Sequence, residues 1–132
     1  MTPEQWATIR FFRPNEFDSP DAPDSGKEMQ FAFIQLLDTA RAYASIPFFI
    51  NSGIRTPAHN AEVGGVDSSA HENGWAADIL VAGRTSGSTS RSRWRVVSAA
   101  FAAGITRIGI GRTFVHLDTD PSKPQNVIWL YD

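Results

Sequence analysis

The chain contains no cysteine. That absence excludes disulfides, thiolate metal ligands and cysteine nucleophiles together, and it leaves the redox compartment open. Also missing is any apolar run long enough to span a membrane. The opening residues, MTPEQWATIRFF, have no basic segment followed by an apolar stretch, so they do not read as a secretory signal. A marked excess of either charge is lacking too, with 12 Lys and Arg against 14 Asp and Glu. The formal net charge is -2, which argues against non-specific nucleic-acid binding. Neither an internal repeat nor a linker interrupts the 132 residues, a length that favours one domain around one core. What is present is an ordinary globular composition, 42% apolar and 20% charged.

Residues 1–26 read as an N-terminal arm. Its second half, RPNEFDSPDAPDSG (13–26), is rich in Pro, Asp and Ser and is expected to be an acidic, solvated loop. Ser25 stands three residues before Glu28, a capping-box spacing, and Met29, Phe33, Leu36, Leu37, Ala40 and Ala44 follow at helical intervals. The spacing predicts an amphipathic helix over 27–45. IPFFIN (46–51) reads as a buried strand, 52–67 as turns around one short helix, and WAADILV (75–81) as a second strand. GRTSGSTS (83–90) is a flexible loop by composition. Ser90 is placed to cap a second long helix in which Trp94, Val97 and Phe101 share a face and which Gly104 stops. Strands are expected at 105–110, 114–118 and 126–131. This order predicts a single α+β domain with a central, mostly antiparallel sheet and flanking helices.

Chemistry concentrates in SSAHENGWAADI (68–79) and FVHLD (114–118). Asn73-Gly74 favours a turn, so His71 is expected at a loop end and Asp78 inside the following strand, facing the same way as Ala76 and Leu80. In FVHLD, Phe114, His116 and Asp118 share one strand face. A buried carboxylate needs a cation or several donors. Two imidazoles and a carboxylate with water in the fourth position are a common catalytic zinc shell, although such ligands also suit other divalent metals. Spacing alone leaves open that each histidine is a separately satisfied core or surface residue. Of the arginines 91, 93, 95, 107 and 112, the first three do not share a helical face, and no aromatic platform accompanies the set, so no nucleic-acid partner is expected.

The motifs together resemble a known family. Ser69-Ala70-His71-Glu72-Asn73-Gly74-Trp75-Ala76-Ala77-Asp78 is similar to the S-x-H-x-x-G-x-A-x-D signature of the D-alanyl-D-alanine carboxypeptidase-like zinc peptidases, which cleave peptidoglycan stem peptides and cross-links. Ser52-Gly53-Ile54-Arg55-Thr56-Pro57, with His59-Asn60 and Gly64-Gly65, resembles the family's upstream block, and Phe114–Asp118 its F-V-H-x-D strand. Phe12 to Phe17 resembles its opening element. The resemblance implies the hedgehog/DD-peptidase fold and one zinc ion held by His71, Asp78 and His116. It implies further that Arg55 binds substrate and assists catalysis, and that Ser69 lines the same pocket. His59 is read as structural and Glu72 as solvated.

Two departures matter. Many members carry an acid three residues before the last zinc histidine, where this chain has Thr113. Asp118 is the nearest substitute, roughly 6–7 Å along the strand from His116; it is expected to act as base, to orient His116, or simply to cap the turn into Asp120-Pro121. The family's N-terminal cysteine cluster is replaced by Pro, Asp and Ser. The resemblance implies a zinc-dependent peptidoglycan peptidase, a D,D- or L,D-carboxypeptidase or endopeptidase. Without a signal or a visible wall-binding segment, a soluble bacteriophage enzyme made in the host cytoplasm and acting on the cell wall is expected. The competing expectation is a zinc-stabilised wall-binding or structural module without activity, as in hedgehog-type domains. Oligomeric state is not legible.

Overall fold

A computed structural model describes residues 1–83 and 87–131. The reading of 83–90 as a flexible loop therefore lies outside the described residues at 84–86. The helices are α1 (Pro3–Ala7), α2 (Phe31–Ala44), α3 (Pro57–Glu62) and α4 (Thr89–Ala103). The strands are β1 (Ile50–Ser52), β2 (Ala76–Leu80), β3 (Arg107–Ile110), β4 (Phe114–Asp118) and β5 (Val127–Leu130), ordered β1-β2-β4-β3-β5 in one sheet. The β1–β2, β2–β4 and β4–β3 pairs are antiparallel, and β5 joins β3 in parallel. The result is the α+β architecture with a mostly antiparallel sheet that the order of elements predicts. Among the described residues no helix is long and apolar enough to cross a membrane.

Alternation along the strands gives the sheet two unlike faces. Ala77, Ile79, Val81, Ile108, Val115 and Leu117 join the core shared with Phe33, Ile34 and Leu37 of α2 and Val96, Ala99 and Ala100 of α4. The opposite face carries Asp78, His116, Asp118, Arg107 and Gly109, side by side by register. Hydrophobic burial holds the first face, which leaves the second free to hold polar groups.

Several boundaries differ from the sequence expectation, each for a tertiary reason. The predicted capping box at Ser25 does not start α2. The Ser25 hydroxyl accepts from the Ser19 N–H at 2.8 Å, and Ser25–Glu28 close a separate 3-10 turn. Met29 is extended, and the Gln30 N–H donates to the Gly74 carbonyl at 3.0 Å, which ties the approach to α2 to the turn carrying His71. Gly74, at φ 77, is where backbone 28–30 passes: a Cβ there would meet Glu28 O at 2.8 Å.

The first of the predicted strands shortens to Ile50–Ser52. In α4 the N-cap is Ser88, not Ser90. Its buried face consists of Ser92, Val96, Ala99 and Ala100, whereas Trp94 and Phe101 are 69% and 75% exposed. Small residues let α4 lie close against α2, and the large aromatics are left outside.

The acidic arm is not simply solvated. Asp18 accepts from the Gly26 N–H at 2.7 Å and from the Asp24 N–H at 3.2 Å, while Asp21 accepts from the Thr56 hydroxyl at 2.6 Å. Phe17 is fully buried and lies against Gly53, where a Cβ would come within 2.5 Å of Phe17 Cα. The arm thus packs directly beneath the loop that supports the site.

Candidate metal centre

Antiparallel register sets Asp78 of β2 directly opposite His116 of β4, on the polar sheet face. His71 comes from a 3-10 turn, Ala70–Asn73, closed by a capping box: the Ser69 hydroxyl accepts from the His71 N–H, and the Glu72 carboxylate accepts from the Ser69 N–H. Glu72 is therefore part of the turn, contrary to its reading as a merely solvated residue. Gly74 at the C-cap then hands the chain to β2.

The hydrogen bonds fix which ring nitrogens face inward. His71 Nδ1 lies 2.7 Å from the Gly53 carbonyl oxygen, which only accepts, so Nδ1–H donates and Nε2 keeps its lone pair. His116 Nε2 lies 2.5 Å from Asp118 Oδ2, which leaves His116 Nδ1 turned inward. The inward atoms converge. His71 Nε2 is 3.2 Å from His116 Nδ1 and 3.3 Å from Asp78 Oδ1, and His116 Nδ1 is 3.0 Å from Asp78 Oδ1. All three residues are buried. Three lone-pair atoms at such separations repel one another unless a cation or proton lies between them. A tetrahedral ion with bonds of about 2.0–2.1 Å needs ligand atoms about 3.3 Å apart, so the donor set fits a zinc-sized ion. His71, Asp78 and His116 could thus hold a metal.

Electrostatics agree with this arrangement. Burial pushes the His71 imidazole down and keeps it neutral, as a metal ligand must be. Burial would raise Asp78, but the His116 and His71 imidazoles beside it reverse this and hold the carboxyl well below the usual range. For His116 burial is outweighed by Asp118 and Asp78, and the ring is pushed up. In the metal-free chain a proton competes for the place of the ion.

The surrounding groups are held firmly. Arg55 donates from Nη2 to Asp78 Oδ2 at 3.2 Å, from Nε to Ser52 Oγ at 3.0 Å and from Nη1 to Asn60 Oδ1 at 3.3 Å. With its side chain only 14% exposed, it is no surface ion pair. Asp118 is almost wholly buried. Its Oδ2 accepts from His116, and its Oδ1 accepts from Arg107 Nε at 2.7 Å and from the Asp120 N–H at 3.1 Å. Both carboxylate oxygens are therefore engaged. His59 pairs with Glu62 at 3.8 Å within α3 and takes no part in the metal cluster.

The cluster opens into a cavity of about 460 Å³ lined by Arg55, Ser69, Arg107, Lys123, Trp129 and Tyr131 among others. Four of these escaped the sequence reading. Arg107 figured there only among scattered arginines, and Lys123, Trp129 and Tyr131 reach the site through strand pairing and the turn before β5. The one available signal was Gly109, a bare position in a strand.

Comparison with known proteins adds one match. No curated protein is similar enough to count as a relative. The sequence model of the family described as Peptidase M15 matches residues 15–118, a segment that contains Arg55, Ser69, all three candidate ligands and Asp118. With most of its length matched and the pattern of histidines and aspartate inside that match, the chain belongs to the Peptidase M15 family.

Proposed function

We propose that the chain is a zinc-dependent peptidoglycan peptidase that hydrolyses an amide bond in cell-wall stem peptides or cross-links. Family membership points to a metallopeptidase. The observation that carries the finer reading is the buried triangle of His71 Nε2, Asp78 Oδ1 and His116 Nδ1 at the floor of an open cavity. A zinc ion held by His71, Asp78 and His116 would supply Lewis acidity for activating water near neutral pH and polarising a carbonyl.

The chain's own residues do the rest. Arg55 orients Asp78 and places fixed positive charge at the cavity wall, suited to a substrate carbonyl or carboxylate. The Ser69 hydroxyl holds the His71 turn and faces the same space. Asp118, with both oxygens engaged, fits the role of a residue that positions His116 better than that of a base. Arg55, Arg107 and Lys123 outnumber the lining carboxylates Asp78 and Asp118, and a bound dication adds to the excess. Such a field attracts peptides rich in carboxylates, as wall stem peptides are.

The test is release of new amines from purified peptidoglycan with and without a chelator, with mass spectrometry of the fragments to identify the bond. Release abolished by chelation and restored by zinc supports the reading. A bacteriophage enzyme reaching the wall from the host cytoplasm fits this substrate; failure of the added protein to thin isolated walls would count against it.

One observation favours a second reading. Thr113 is exposed, and both carboxylates among the described lining residues are engaged, so no free acid stands in the cavity. A zinc-stabilised, non-catalytic wall-binding module would bind peptidoglycan without amine release, and His116→Ala would chiefly lower its Tm.

A further inference from the structure

Strand β5 lies beyond residues 15–118, the segment that the family match covers. It nevertheless reaches the metal cluster, because Gly109 leaves the sheet bare between β4 and β5. Register places Gly109 beside His116 on one side and Trp129 on the other. A Cβ at Gly109 would stand 2.7 Å from Trp129 Nε1 and 2.6 Å from Tyr131 Cε2. Both rings thus rest on that glycine. The Trp129 ring centre is 5.4 Å from that of His116, and Tyr131 is 6.4 Å from it. Phe114 braces Tyr131 at 5.1 Å, and the Arg107 guanidinium stacks over Trp129 at 4.9 Å. Both rings line the cavity that Asp78 and Arg55 also line. Val63 and Val66, 51% and 71% exposed, give the same cavity an apolar rim.

We propose that β5 forms the substrate-contacting wall of this cleft. Tyr131 donates a hydrogen bond to the oxygen of the scissile carbonyl as that oxygen gains charge. Trp129 packs against the apolar side groups of the bound peptide. The inference rests on the peptidase reading above and deepens it. Tyr131 adds to the cavity a protic group that is neither a candidate ligand nor part of the Arg107–Asp118–His116 chain. A phenol O–H aimed at a developing oxyanion does the work of one preorganised donor, and removing such a donor typically costs about 10²–10³-fold in rate.

The experiment uses the full zinc-loaded chain and a soluble disaccharide-pentapeptide muropeptide, which contains both the L-Ala–D-Glu and the D-Ala–D-Ala bonds. Tyr131→Phe is expected to lower kcat about 100-fold with KM changed less than about 3-fold and zinc content unaltered. Trp129→Leu is expected to weaken muropeptide binding by calorimetry about 10-fold, with Trp129→Phe restoring most of it. Trp94→Leu, which alters an exposed ring on α4, should match wild type in both measurements. Should wild type neither bind nor cleave the muropeptide, the peptidase reading falls and this inference with it. Should wild type do both while Tyr131→Phe and Trp129→Leu behave identically to it, the wall assignment alone is overturned.

Discussion

Asp118 decides how the His116 imidazole meets an ion. By accepting the Nε2–H it fixes the tautomer and turns Nδ1 toward Asp78 and His71, while Arg107 keeps the carboxylate in place. Asp118→Asn is therefore expected to retain one zinc per chain but to weaken its affinity about 10- to 100-fold, as measured by chelator competition. His71→Ala or Asp78→Asn removes a proposed ligand, and zinc content should drop toward zero on the same assay. The pH dependence follows from the direction of the His116 shift. Asp118 and Asp78 push its pKa above the ordinary 6.5, so a proton competes more strongly for the atom an ion would need. Zinc affinity should climb as pH rises through the range above 6.5, then level off once the ring is neutral. Asp118→Asn removes a cause of the upward shift and should move that climb to lower pH. An affinity independent of pH across this range would contradict the assignment of His116.

At the scale of elements, Gly109 makes the most specific prediction. Gly109→Ala would press a methyl group into two rings, and overpacking of this kind costs about 1–3 kcal/mol, read as a lower Tm. Trp129 and Tyr131 should shift with it, changing tryptophan emission. The same element shows where sequence reasoning stops. β2 and β4 were legible because alternation puts Asp78, and His116 with Asp118, on defined faces, and a tight Asn-Gly turn fixes where β2 begins. The parallel pairing of β5 with β3 was not legible, since period-two alternation says nothing of a strand's partner. Likewise Trp94, Val97 and Phe101 do fall on one helical stripe. Burial went instead to Ser92, Val96, Ala99 and Ala100, because a close approach to α2 selects small side chains, a tertiary constraint that periodicity does not reveal. Ser25 and Glu28 have capping-box spacing, but hydrogen bonds to Ser19 and Gly74 outcompete the extra turn of helix.

Over the whole molecule, the site is a bridge. It joins a turn after α3 to two neighbouring strands, and the arm, through Phe17 and Gly53, supports the carbonyl that orients His71. An ion that binds only the folded chain stabilises it by mass action, about 4 kcal/mol at a thousandfold excess over Kd. Zinc should accordingly raise Tm by roughly 10 °C or more, and a chelator should reverse the gain. Leu37→Ala, at a fully buried position of α2 far along the chain from the ligands, should cost about 2–5 kcal/mol with or without zinc. The three ligand candidates, Arg55 and Asp118 were visible as residues in the sequence. Their mutual geometry was not, since sheet register and the Gly53 carbonyl bring them together across distant parts of the chain.

The central claim is that one ion sits among His71, Asp78 and His116. Anomalous diffraction at the zinc edge from crystals of the zinc-loaded chain tests it most directly. The account predicts a single strong peak within about 2.0–2.2 Å of His71 Nε2, Asp78 Oδ1 and His116 Nδ1. A peak elsewhere, or an ion that touches fewer than all three atoms, would contradict it.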